Sequence, residues 1–288
     1  MPATRAIRDR IGSVKNTRQI TRAMELVAAS NLRRAQEAAG ATREYAATAR
    51  ELLAHLNAAG DAERQPLYAE RAVKSRLYIV VSSDQGLAGA YNSNLLKLLT
   101  VRLRADKHDG IASSLITLGR QAGNFAARLA GVTVDGAHTD LPDAPDQNFL
   151  QPIIGSAVRQ FLDGEYDAVD IIYTNYVSTV SQEPVAIRLL PAGFDDVEVP
   201  ASLQQATFEP SAEEVLETIT IRLLESQLLQ AMLSAKASEY MMRMMAMHNA
   251  TDNANGLIDD LTLEMNKARQ AYITQELAEI TGGAEAMK

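Results

Sequence analysis

At 288 residues the chain is long enough for one large domain or two small ones, and 5% aromatic residues with no Trp argue against a single aromatic-centred globule. The absence of Cys excludes a disulfide framework, a thiol nucleophile and a thiolate metal site. A net charge of -8 argues against nucleic acid as the main partner, but its placement is uneven: Met1 to Ala59 carries ten Lys or Arg against five acidic residues, and Ser211 to Lys288 six against twelve. No stretch approaches the roughly 20 apolar residues of a membrane-spanning helix. The opening MPATRAIRDR lacks the apolar core of a secretory signal, so the chain is expected to stay where it is made and to meet a membrane only through partners.

Prolines partition the sequence: Pro2, then none until Pro66, seven from Pro142 to Pro210, and none afterwards. An interior proline costs a helix about 3 kcal/mol, so the two proline-free ends are where long helices can form. In the first, Ile7, Ile11 and Val14 begin a stripe that Thr21, Met24, Ala28, Asn31, Ala35 and Ala38 continue. The stripe is narrow and mostly small, which suits close pairing with another helix. From about Thr4 to Asn57 such a helix would be roughly 80 Å long.

The middle, from about Ser75 to Pro200, changes period. RLYIVVSS, SSLITLG, VTVDGA, DAVDIIYTNYVS and EPVAIRLLP read as strands, with helices expected at Asn94 to Arg104, Arg120 to Leu129 and Phe149 to Leu162. Strands alternating with helices of that length predict an open α/β sheet, Rossmann-like in the loose sense.

The last segment has a clear start signal in Pro210, Ser211 and Glu214, the elements of a capping box. Its stripe runs through Leu224, Leu228, Ala231, Ala235, Ser238, Met242 and Met245, then Ala250, Ala254, Leu257, Leu261, Met265, Ala268 and Tyr272, with Gly282-Gly283 expected to end it. Such a helix is about 70 residues and roughly 105 Å long. The fold class expected is α-rich α/β: a long antiparallel coiled coil of first and last segments (1-59 and 209-288) with the α/β domain (75-200) inserted. The longer last helix should protrude, and its exposed Leu, Met and Tyr imply a partner.

Candidate chemistry is sparse. The loop Asp84 to Gly89 after the first strand has Gly-x-x-Gly but neither GxGxxG nor a following Lys-Ser/Thr, so a glycine-requiring turn is the better reading than a phosphate loop. His55, His108, His138 and His248 are scattered without an i, i+4 pair, so no metal site is expected. His248 reads as a surface residue, and Asp259, Asp260 and Glu264 as a solvated face. YMMRMMAM places Met241, Met242, Met244, Met245 and Met247 round most of one helix, divided between core packing and a flexible partner surface.

RIGSVKNTRQITRAMELVAASNLRRAQ at the start and NATDNANGLIDDLTLEMNKARQAYITQELAEITGG at the end closely resemble the two signature ends of the gamma subunit of F-type ATP synthases. The resemblance extends in outline over the whole chain. It implies a shaft inside a ring of three alpha and three beta subunits, and a foot that stands with the epsilon subunit on the membrane c-ring. It also implies one copy per complex, no cofactor and no catalysis on this chain, and a peripheral position on the cytoplasmic face of a bacterial membrane. By the same resemblance Arg269, Gln270, Thr274, Glu276 and Met24 would contact the catalytic subunits. Phe208, Glu209, Arg222, Glu225 and Gln227 would contact epsilon and the c-ring. Two other classes remain: an α/β enzyme with a coiled-coil arm, binding a nucleotide at Gly86 to Gly89, and a static scaffold pairing its helices between copies.

Overall fold

The structure is a computed structural model that describes residues 2-58, 66-142, 145, 147-193 and 212-286. It is helix-rich and contains one mixed five-stranded sheet. The chain divides into two compact units, Met1–Ala29 with Arg243–Lys288, and Ser30–Met242.

The elements follow in chain order: α1 (Pro2–Ala58), β1 (Ser75–Val81), α2 (Tyr91–His108), β2 (Ala112–Leu118), α3 (Arg120–Ala126), β3 (Thr133–His138), α4 (Gln147–Leu162), β4 (Ala168–Tyr176), β5 (Gln182–Leu190) and α5 (Ala212–Ala286). The expected strands and helices are all present, with shifted ends: α2 is longer at both ends and α3 stops three residues early. The stop expected at Gly282-Gly283 does not end the helix. α5 runs through Gly282 and Gly283 to Ala286. A glycine inside a helix costs only about 1 kcal/mol, and it ends a helix reliably only in a left-handed conformation, which Gly282 does not adopt.

In the larger unit the strand order is β3-β2-β1-β4-β5, with β1 parallel to both β2 and β4, β2 parallel to β3, and β5 antiparallel on β4. β1 sits at the centre and is buried on both faces, as a parallel strand between helical layers must be. Side chains alternate along it. Leu77, Ile79 and Val81 face a core shared with Ile154 and Phe161 of α4 and with Leu224, Leu228 and Met232 of α5. Tyr78 and Val80 face the opposite core, with Leu95 and Leu99 of α2 and Ala122 of α3. Each fully buried Leu or Ile contributes roughly 1.5 to 3 kcal/mol, so the two cores hold the sheet from both sides.

Polar bonds tie the helices of this unit to the sheet. Ser238 Oγ donates to the Thr174 carbonyl at 3.1 Å and the Tyr176 N–H donates to Ser234 Oγ at 2.8 Å, which fixes α5 on the end of β4. Gln36 Nε2 on α1 donates to the Tyr176 hydroxyl at 2.9 Å.

In the smaller unit α1 and α5 lie side by side and antiparallel: Arg18 meets Asn255, Thr21 meets Thr251, and Glu25 meets His248. Ile11, Thr21 and Ala28 are buried, as the small stripe on α1 implied. On α5 the inward line is Met247, Thr251, Ala254 and Leu261, at steps of four, three and seven. Met245 and Leu257, assigned inward from the sequence, point out at 44% and 39% exposure. The assigned stripe stepped five residues from Met245 to Ala250, which turns a helix about 140° beyond a full revolution, whereas steps of three and four stay on one face.

Candidate functional site

Two places were marked by the sequence: the loop after β1 and the terminal helices. The loop lies within the sheet unit, where successive crossovers step first to β2 and β3 and then return to β4, the position at which open α/β sheets hold ligands. Its backbone needs glycine freedom at one point, Gly89 at φ 56°, and Leu87 also adopts positive φ. Side-chain oxygens cap neighbouring backbone N–H groups. One Asp84 carboxylate oxygen accepts from the N–H groups of Arg120 at 3.0 Å and Asp140 at 3.1 Å, and the other from that of Leu141 at 2.8 Å. Asn92 Oδ1 accepts from the Ser83 N–H at 3.2 Å. Asp84 thus ties the end of β1 to the start of α3 and to the segment after β3.

In the smaller unit the helix interface contains a polar layer that sequence periodicity did not reveal. Thr21 and Thr251 hydroxyls meet at 2.8 Å in a buried position, and each also lies within bonding distance of a carbonyl on its own helix, Arg18 and Met247 respectively. Buried polar partners of this kind set register between helices, because a slip would strand them. Beside this layer, Glu25 Oε1 and Oε2 each accept from Arg22 at 2.9 Å, and Oε1 lies 3.2 Å from His248 Nδ1. Partial burial opposes ionisation of Glu25, but the bonds from Arg22 and His248 prevail and hold its carboxyl below the usual range. His248 Nε2 lies 3.4 Å from Asp252, so this histidine, exposed as expected, bridges acids on both helices. Opposite charge across the pair was a usable signal; its register was not.

The helices carry apolar residues outside their own interface. On α1, Ile20, Leu26 and Val27 are about 60% exposed, and Met24 is half-buried at the edge of the interface. On α5 every residue from Arg269 to Gly282 is exposed, over roughly 20 Å, including Tyr272, Ile273, Leu277 and Ile280. Arg269 and Glu276 share one face of this stretch, with Gln270 about a third of a turn round and Thr274 about two-fifths of a turn. Among the described residues, none of the four makes a side-chain hydrogen bond. Within the sheet unit, Glu225 is buried and accepts from Arg222 at 2.9 Å, while Arg222 and Gln227 are half-exposed. Phe208 and Glu209 lie outside the described residues. Of the methionine cluster, Met241 and Met247 are buried and Met245 is exposed. Among the described residues no cluster of His, Asp or Glu could hold a metal ion, and no helix is long and apolar enough to cross a membrane.

The exposed apolar end of α5 is a surface of the kind that marks a protein–protein contact. The comparisons agree. The ATP synthase family model matches residues 3–287. The chain is 41% identical over 291 residues to the ATP synthase gamma chain of Moorella thermoacetica, covering 100% of both. It is 43% identical over 290 residues to that of Chloroflexus aurantiacus, covering 100% of this chain and 99% of the other. In fold it is similar to a chain in the cryo-EM structure of the Euglena gracilis mitochondrial ATP synthase OSCP/F1/c-ring (TM-score 0.68, 19% identity, 99% and 95% covered). It is also similar to a chain of the Tetrahymena thermophila mitochondrial central stalk and c-ring (TM-score 0.63, 22% identity, 80% and 99% covered). The chain belongs to the ATP synthase gamma-chain family.

Proposed function

We propose that the chain is the central rotor shaft of an F-type ATP synthase, transmitting torque between a proton-driven c-ring and the alternating catalytic sites of three alpha and three beta subunits. The observation that carries this reading is the last stretch of α5, exposed on every side although it bears Tyr272, Ile273, Leu277 and Ile280. A helix end of that kind needs a surrounding partner to cover it. The family membership supports a ring of subunits as that partner.

In this reading the residues 1-59 and 209-288 form an antiparallel coiled coil, and 75-200 a Rossmann-like foot domain; the parallel order β3-β2-β1-β4 supports the second assignment. The chain catalyses nothing itself. It changes the relative energies of its neighbours' conformations, so contacts that differ with angle matter more than total affinity. Arg269, Gln270, Thr274 and Glu276 act as a polar latch on a catalytic-subunit loop, charge-assisted bonds holding at some angles and releasing at others. Ile20, Met24 and Val27 provide a neutral bearing. The foot, through Phe208, Glu209, Arg222, Glu225 and Gln227, meets epsilon and the c-ring, which place the chain at the cytoplasmic face of a bacterial membrane without its entering the bilayer.

The test is native purification through a tag in the exposed turn at Val177 to Ser181, with stoichiometry read by native mass spectrometry. One copy with three each of two larger nucleotide-binding subunits is expected. A homodimer would favour a static scaffold, and recovery of the chain alone with thermal stabilisation by ATP would favour an enzyme. A sharper test is Met24→Lys, which puts a charge on the bearing: ATP-driven proton pumping should fall several-fold, and unchanged pumping would remove Met24 from the bearing.

A further inference from the structure

In the sheet unit, α2 is an 18-residue helix and α3 one of 7 residues. At 1.5 Å per residue α2 outruns α3 by roughly 16 Å, so the sheet layer beneath the C-terminal half of α2 loses its second covering helix. A cavity of about 490 Å³ opens there, between α2, the turn into β2 and the turn from α3 to β3. Leu103, Ile111, Leu129 and Val132 line it, all half-buried; Leu103, Leu129 and Val132 pack on the edge of the core that encloses Leu95, Leu99 and Ala126.

Arg104 and Lys107 stand at its mouth, one helical turn apart. No carboxylate lines the cavity. The nearest acids on α2 and its cap are committed elsewhere: Asp106 accepts from Tyr78 at 2.6 Å and Ser113 at 3.1 Å, and Asp109 pairs with His108 at 2.9 Å. Arg104 and Lys107 have no side-chain partner among the described residues. In a chain of net charge -8, two unpaired cations beside a largely apolar cavity form a matched set: an apolar floor and a cationic rim.

We propose that this cavity is a binding site for an amphipathic anion, with an apolar body on Leu103, Ile111, Leu129 and Val132 and a carboxylate, sulfonate or phosphate held by Arg104 and Lys107. The volume is within the range of small-molecule sites, and apolar lining with a few fixed polar groups is their usual composition. Arg supplies the planar fork for an oxyanion and Lys the point charge. The same chemistry is available from a free organic anion or from an anionic lipid.

The test uses the full chain with methyl groups labelled for NMR, titrated with 4-phenylbutyrate and, separately, with 4-phenyl-1-butanol. Saturable shifts confined to Leu103, Ile111, Leu129 and Val132 are expected with the carboxylate, with at least tenfold weaker binding of the alcohol. The double variant Arg104→Gln, Lys107→Gln, at exposed positions outside both cores, should weaken the carboxylate about tenfold and leave the alcohol unchanged. A second arm is co-sedimentation with phosphatidylglycerol and phosphatidylcholine vesicles. Binding to phosphatidylglycerol alone, lost in the double variant, would assign the site to a lipid, and its absence beside saturable phenylbutyrate binding would assign it to a free anion. Shifts spread over the surface, equal affinity for acid and alcohol, or indifference to the double variant would overturn the proposal.

Discussion

The sheet unit and the helix-pair unit meet the same physical demands in opposite ways. Around β1 both faces are covered, the switch-point loop is braced by Asp84, and the buried Asp170 carboxylate is held by Arg76 and Arg188. The helix pair buries one narrow line on each helix and leaves Ile20, Val27, Leu277 and Ile280 in the open. A unit whose sheet is packed on both faces can hold its shape against load. One that leaves apolar and polar groups unmet is completed by what surrounds it, and can be completed differently by different surroundings.

Substitutions should separate the two units cleanly. The largest loss is expected at Gly119, where φ is 100° and an added Cβ would lie 2.3 Å from the Ser82 carbonyl oxygen. Gly119→Ala should cost about 3 kcal/mol in urea unfolding, all of it in the sheet unit, because backbone has no room to give. Next is a pH dependence. Burial and then the bond to Asp106 push the Tyr78 phenol up, and burial and the bond to Asp135 push Tyr166 up to about 12. A folded-state pKa above the ordinary value near 10 contributes stability that is complete below pH 10 and lost as pH rises toward 12. Unfolding midpoints should fall across that window, with a smaller fall in Tyr166→Phe.

Thr251→Val should cost about 1 kcal/mol, leaving Thr21 one fewer partner, while Thr21→Val with Thr251→Val should regain most of that loss and relax the register. Double-mutant unfolding measures the first effect, and cysteine cross-linking across the pair the second. The smallest stability effect belongs to the open end: Arg269→Ala and Leu277→Gln should shift stability by less than about 0.5 kcal/mol. Their cost should appear instead as lost coupling between ATP hydrolysis and proton pumping. Stability loss at Leu277 comparable to Thr251 would mean the open end is not open.

What could be read from the sequence follows from how local each signal is. Strand period, proline placement and the small stripe Ile11, Thr21, Ala28 and Ala35 act over a few residues, and all proved accurate. The α5 stripe drifted at Met245, since a helix with methionines on most sides offers no contrast by which to count its turns. The Thr21–Thr251 layer and the Glu25–His248 pair depend on the register between segments more than 220 residues apart, which no local pattern specifies. The open end was legible, because apolar residues beyond any available partner within the chain are visible as composition. The cavity beneath α2 was not, because it arises from the difference in length between two helices.

The most direct measurement is rotation. The chain has no cysteine, so a single Val180→Cys at a position 92% exposed can carry a bead while the surrounding subunits are fixed to glass. With ATP supplied, the bead should turn in one direction and pause at three equally spaced angles in each revolution. A bead that stays still while ATP is hydrolysed at the full rate would contradict a rotor shaft.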